Sequence, residues 1–387
     1  MQLSNSNVWK LGVSINVIVL GIVSLFTDIS SEIIYAVLPI FLVYQLGASV
    51  EFVGIIEGIA ESISSFLKSF SGYISDKMGR RKPIILIGYG ISNIFKPLMG
   101  FSTNWIDVLA IKSLDRIGKG LRTAPRDAII SESTVDSKIG RAFGIHRTLD
   151  QVGAVIGPFM AFPLIALLGY RGTFFFTALP GVIAIVILII FLKEPKIKMA
   201  DFHAKEFTFN KKFSIYLLTI ATYSFGAISY AFIMLKAIEF GIPEEFAPLI
   251  YAEIQLFHVL AGVPAGEFSD KIGRTKAVQL GYLILLLSFL MLAFANSFIW
   301  IMFGALLFGI HKGFVETTQR AIIPSIVQKE YKATAYGIYN MVLGISVLPT
   351  NYIAGVLFSI NSSLAFYYGS IFTIIAIILM QILQKIK

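Results

Sequence analysis

Asp28 and Glu32 stand four residues apart, the spacing that puts two side chains on one face of a helix, and both lie within a long apolar segment. Glu57, Glu61, Ser65 and Lys68 repeat that spacing, as do Asp115, Lys119, Arg122 and Arg126, with Arg116 on an adjoining face. A carboxyl shielded from water can take up and release a proton near neutral pH. Asp28, Glu32, Glu57, Glu61 and Asp115 are therefore candidate proton carriers, and Arg116 is a countercharge among them. Other chemistries are missing their parts. The chain has no cysteine, which removes disulfides and thiolate sites, and His146, His203, His258 and His311 have no metal-ligand spacing. Gly118-Lys119-Gly120 lacks the upstream glycine and the hydroxyl of a phosphate loop. No nucleophile is paired with a base, so no enzyme and no cofactor are expected.

The elements that hold these residues follow from composition. Of 387 residues 56% are hydrophobic and only 14% charged, against about 25% charged in ordinary soluble domains, and mean hydropathy is +0.78. Such a chain cannot coat a water-soluble globule. A membrane helix needs about 20 apolar residues. Twelve spans are predicted: about 12–44, 50–74, 83–103, 105–131, 139–168, 172–193, 212–238, 246–269, 276–295, 298–324, 332–359 and 364–384. The first is read as a retained helix, because it is longer and more polar than a signal peptide's apolar core. Every other connection is basic, from Lys77, Arg80, Arg81 and Lys82 to Lys385 and Lys387. By the positive-inside rule both termini are cytoplasmic, and the +9 net charge marks topology rather than nucleic-acid binding.

Even eight of the ten intramembrane charges named above would, facing lipid, cost about 20–28 kcal/mol, at roughly 2.5–3.5 kcal/mol each. That exceeds the roughly 5–15 kcal/mol by which a fold is stable, so they face a cavity or one another. Lys68, Arg122 and Arg126 near the cytoplasm, and Lys96 and Lys236 near the outer face, are read as able to snorkel. Arg147 and Asp150 are read as a structural pair.

An internal repeat divides the chain. GYISDKMGRRK (Gly72 to Lys82) recurs as GEFSDKIGRTK (Gly266 to Lys276), with Asp76 and Asp270 offset by 194. IGKG (117–120) matches IHKG (310–313) and RAFGI (141–145) matches TAYGI (334–338), both at 193. Two six-helix halves, 1–193 and 212–387, are expected around a cytoplasmic linker at 194–211. At the 194 offset Asp28, Glu32, Glu57 and Glu61 become Thr222, Gly226, Tyr251 and Gln255. The first half is therefore assigned the protons, and the second a substrate wall with Tyr223, Tyr230, Tyr251 and Gln255. Lys119 and Lys312 match across the repeat, a pair suited to an anionic substrate.

The doubled motif G-x-x-x-D-K-x-G-R-x-K resembles the signature loop of the major facilitator superfamily, and the resemblance covers essentially the whole chain. It implies an all-α integral membrane protein of twelve helices in two pseudo-symmetric bundles, working by alternating access. It implies a gating role for Gly72, Asp76, Gly79 and Arg80, with Asp127 as a charge partner, and for Gly266, Asp270, Gly273 and Arg274. The charge pairs open to Asp76 and Arg80 are Asp127, Glu132 or the neighbouring bundle. Gly153, Gly157 and Pro158 resemble the glycine–proline stretch of the family's antiporters.

The function these features imply is proton-coupled export of a small organic solute. An importing symporter and a lipid flippase on the same fold are the alternatives. The expected partners are the solute, protons and the lipid bilayer of the cell's inner, cytoplasmic membrane, with no nucleic acid, and the expected state is a monomer.

Overall fold

The computed structural model describes residues 14–134, 139–194, 210–328 and 332–386, and among them every regular element is helical. The helices are α1 (Ile15–Ile40), α2 (Val50–Met78), α3 (Lys82–Phe95), α4 (Trp105–Glu132), α5 (Ile139–Phe176), α6 (Ala178–Phe191) and α7 (Lys211–Gly226). They continue with α8 (Tyr230–Glu239), α9 (Ala247–Ile272), α10 (Arg274–Ala293), α11 (Phe298–Thr318), the short α12 (Ile323–Ile326), α13 (Lys332–Ile360) and α14 (Ser362–Lys385). The expected linker at 194–211 lies almost wholly outside the described residues.

Local chemistry sets the ends. Gly79 and Gly273, the glycines of the doubled motif, have φ of 62° and 94°, a region that a side chain disfavours, and each turns the chain into the next helix. Asn104 opens α4 by accepting from the backbone N–H of Ile106 (2.9 Å) and Asp107 (3.1 Å), while Asp107 accepts from the N–H of Asn104, a reciprocal cap. Glu194 accepts from the N–H of Arg81 (2.7 Å) and Lys82 (2.9 Å) at the start of α3.

Nine stretches among the described residues are long and apolar enough to cross a bilayer. Charge-rich α2 and α4 are not among them. Gly140–Phe191 counts as one stretch of 52 residues, far beyond the roughly 20 that one span requires, and Gly169, at φ 67°, breaks its helical path. Leu167 beside that break is 79% exposed, and Val263 and Ile360 are each 72% exposed. Apolar side chains this exposed belong against lipid tails.

The chain packs as two compact units, Met1–Val37 with Ile63–Phe202 and Leu38–Ser62 with His203–Lys387. In the first, Val17, Leu20, Ile85, Tyr89, Ile129 and Leu188 form a buried core. In the second, Phe213, Tyr216, Tyr282, Tyr339 and Met380 do so. The same close approaches occur in each unit. A methyl group on Gly118 of α4 would fall 2.5 Å from the Gly88 carbonyl oxygen of α3, and one on Gly281 of α10 would fall 3.0 Å from Val315 on α11. A methyl group on Gly120 would meet Leu67 of α2, and one on Gly313 would meet the His258 carbonyl of α9. The repeat read from sequence is thus also a repeat of contacts.

Candidate functional site

In the first unit Asp28 lies on the partly accessible side of α1, with its carboxyl next to that of Asp150 on α5, close enough for the two to share a hydrogen bond. Asp150 also accepts from Ser24 Oγ at 2.6 Å and pairs with Arg147 at 3.3 Å. Two carboxyl groups hydrogen-bond to each other only when one carries a proton, so this arrangement can hold one proton between α1 and α5. Lys119 of α4 and Glu32, one turn along α1, both act electrostatically on Asp28. The glycines of α5 bring this about. A side chain on Gly153 would collide with the Leu25 carbonyl, and a methyl group on Gly157 would fall 2.7 Å from Glu32 Cβ. Asp150 is thus more than the structural partner of Arg147 that its position suggests.

On α4, Asp115 is buried and accepts a hydrogen bond from Ser92 Oγ of α3. Arg116 stacks on the Tyr35 ring of α1 at 4.6 Å, and Lys112 stands 5.6 Å from the same ring. Arg122 is only 4% exposed and lies 4.4 Å over the Tyr89 ring, so it does not snorkel. The Gly88–Gly118 approach that seats α3 on α4 explains why. Lys96 does not snorkel either. At 1% exposure its ammonium donates to the Thr27 carbonyl (3.2 Å), Ser30 Oγ (3.4 Å) and Asn93 Oδ1 (3.1 Å). Lys236, in the second unit, is 2% exposed and donates to Ser362 Oγ and Ser363 Oγ.

The second unit holds the N-terminal part of α2, where Glu57 and Glu61 are half-buried. Gly54 and Gly58 seat that part of α2 on Asn351 and Leu348 of α13, and Ser62 Oγ donates to the Gly344 carbonyl at 2.6 Å. Tyr230 stacks on Tyr251 at 4.2 Å, and His258 Nδ1 lies 3.4 Å from Gln255 Oε1 and its Nε2 lies 3.2 Å from Glu316. Tyr223 belongs to a separate network. Its hydroxyl lies 3.0 Å from His311 Nε2, and His311 Nδ1 lies 2.8 Å from the Gly281 carbonyl. A carbonyl only accepts, so Nδ1 carries the hydrogen and, in the neutral ring, Nε2 accepts from Tyr223. Gln319 donates to Tyr282 Oη (2.8 Å) and accepts from Tyr339 Oη (2.7 Å), and its carbonyl accepts from Tyr216 (2.7 Å). Lys312 stays half-buried beside His311.

The charge pairs around the motif loop differ from expectation. Arg81, not Arg80, pairs with Glu132, its Nε donating at 2.8 Å, while Asp127 is taken by Arg126 at 2.9 Å. Arg80 is exposed, since the chain has already turned at Gly79. The side chain of Asp76 lies outside the described residues. Gly72 faces Ala124 of α4 as Gly266 faces Thr317 of α11. Asp270 is exposed, and Arg274 donates to the Ala321 carbonyl at 2.7 Å.

Sequence reasoning assigned no role to Tyr89, Tyr282, Gln319 or Tyr339. The repeat offset carried a signal for two of them, because Tyr89 and Tyr282 are equivalent and Gln319 stands where Arg126 does.

The sequence pattern of the Major Facilitator Superfamily matches residues 20–234 and 214–386. The chain is similar to the MFS-type transporter MJ1317 of Methanocaldococcus jannaschii, 34% identical over 97% of this chain and 96% of that protein. It is more distantly similar to the multidrug resistance protein MdtH of Blochmanniella floridana, 23% identical over 89% of this chain and 87% of that one. Among solved structures, a POT family transporter in complex with a thioalcohol-conjugated peptide superposes with a TM-score of 0.80 at 14% identity, over 95% of each chain. The nucleoside transporter NupG gives 0.73 at 14% identity, over 96% of this chain and 100% of that one. At such identities these structures show a shared fold.

Proposed function

The chain belongs to the major facilitator superfamily, and from that membership and its intramembrane carboxyl pair we propose that it exports a small organic solute in exchange for protons. The family makes it a multi-pass membrane transporter and not an enzyme. Its two sequence halves, 1–193 and 212–387, alternate access to the solute, in a monomer of the cytoplasmic membrane with both termini inside.

The observation that carries the proton reading is the close approach of the Asp28 and Asp150 carboxyls. A proton released from that pair leaves two carboxylates facing each other beside Lys119 and Arg147, a change in charge that biases one conformation over another. The export direction draws its support from the Gly153, Gly157 and Pro158 stretch, which holds α5 against the acid-bearing face of α1.

Everted vesicles loaded with this protein, energised with an acidic interior and offered a cell extract, test the reading by mass spectrometry. Export by antiport predicts that at least one solute accumulates inside and is lost when an ionophore collapses the gradient. Accumulation only in right-side-out vesicles with an acidic exterior would make it a symporting importer. Redistribution of lipid without solute uptake would make it a flippase.

A further inference from the structure

Between Lys112 and Asp127, α4 carries five cations (Lys112, Arg116, Lys119, Arg122 and Arg126) and two carboxylates (Asp115 and Asp127). The two ends of its charged stripe are settled. Asp115 is held by Ser92, and Arg126 is paired with Asp127 and donates to Ser24 Oγ at 3.3 Å. The middle is not. Lys119 acts on Asp28 and Arg122 on Asp115 only through their charge, and neither Arg122 Nη1 nor Tyr89 Oη has a hydrogen-bond partner, although both side chains are buried. A buried guanidinium nitrogen with no hydrogen-bond partner retains a strong demand for an acceptor.

The second unit provides an internal control. At the repeat offset Arg122 becomes Val315, Arg126 becomes Gln319 and Tyr89 becomes Tyr282. There the tyrosine hydroxyl receives Gln319 and the neighbouring polar groups satisfy one another. The same scaffold can therefore close the Arg122 end of this corner with neutral, paired groups while keeping a lysine, Lys312, at the Lys119 position. In the first unit it presents two cations and two unpaired donors instead.

We propose that Lys119 and Arg122, backed by Tyr89, form the binding site for an anionic oxygen group, a carboxylate or phosphate-type group of the transported solute. Lys119, half-buried, meets the anion first, and Arg122 supplies a desolvated charge behind it, where a charge-assisted hydrogen bond is strongest. Calling this anion the transported solute rests on the transporter reading; binding itself does not.

The test uses the purified full chain in neutral detergent and follows its apparent melting temperature with phenylphosphonate, benzoate and, as the cationic counterpart, benzyltrimethylammonium. Phenylphosphonate or benzoate should raise the melting temperature saturably and the cation should not. Affinity should fall about tenfold or more in both R122Q and K119Q and be largely restored in R122K. Unliganded R122Q should melt no lower than the parent chain, because a buried, unpaired charge has been removed; a purely structural arginine would give a lower value. The assignment is overturned if neither anion shifts the parent chain, if the cation alone does, or if both variants bind the anions unchanged. A shift with phosphatidylglycerol and with neither soluble anion also overturns it, by moving the group to a lipid headgroup. Detergent binding requires no translocation, so its failure leaves the vesicle experiment standing, and failure of the vesicle experiment leaves anion binding standing.

Discussion

Single side chains divide this molecule into a charged and a neutral half. In the neutral half Gln319 bonds at once to Tyr216, Tyr282 and Tyr339. Its backbone carbonyl survives substitution, but its side chain serves two buried hydroxyls. Gln319→Leu strands both, and at about 1–3 kcal/mol for each unsatisfied buried group it should lower thermal stability clearly, whereas Tyr282→Phe strands only the Gln319 amide N–H and should cost about half as much. Equal losses in the two variants, measured by thermal unfolding, would show that the network is not cooperative. In the charged half, Asp28 and Glu32 were legible from spacing alone, because a four-residue interval fixes a shared helical face. Asp150 was legible only as a partner of Arg147. What places it against Asp28 is the glycine contact of α5 with α1, a tertiary feature with no local sequence period.

Helices here are positioned by where side chains are missing. Gly88 and Gly118 let α3 and α4 approach backbone to backbone, which seats Tyr89 under Arg122 and Ser92 beside Asp115. Gly118→Val drives a branched side chain into the Gly88 carbonyl, and overpacking of this kind costs about 1–3 kcal/mol. Gly90, two residues from Gly88, has open space where its Cβ would go, so Gly90→Ala should leave stability within about 0.5 kcal/mol or raise it. A melting-temperature comparison of the two variants checks this, and equal effects would contradict the packing account. The apolar runs made most helices easy to place from sequence. The break at Gly169 falls in the connection expected between the spans 139–168 and 172–193. Snorkelling was wrongly anticipated for Arg122, Lys96 and Lys236. A long cation near a helix end reads alike whether it reaches for water or is drawn inward by carbonyls, hydroxyls and rings.

At the scale of the whole molecule, the alternation of basic loops and the repeat are the features that sequence carries best, since both are sums over many residues. The topology they imply is directly checkable because the chain contains no cysteine. His203→Cys should react only with a reagent on the cytoplasmic side and Glu244→Cys only with one outside; reaction of both from one side would contradict the orientation. Coupling is the central claim, and it joins the carboxyl pair to transport. For a solute identified in the vesicle screen, Asp28→Asn should abolish accumulation driven by a pH gradient while leaving exchange of labelled solute at equal pH intact, because the amide mimics the protonated state and exchange requires no proton release. Asp150→Asn should uncouple in the same way. Continued accumulation in both variants under the gradient, at the parent rate, would contradict the account.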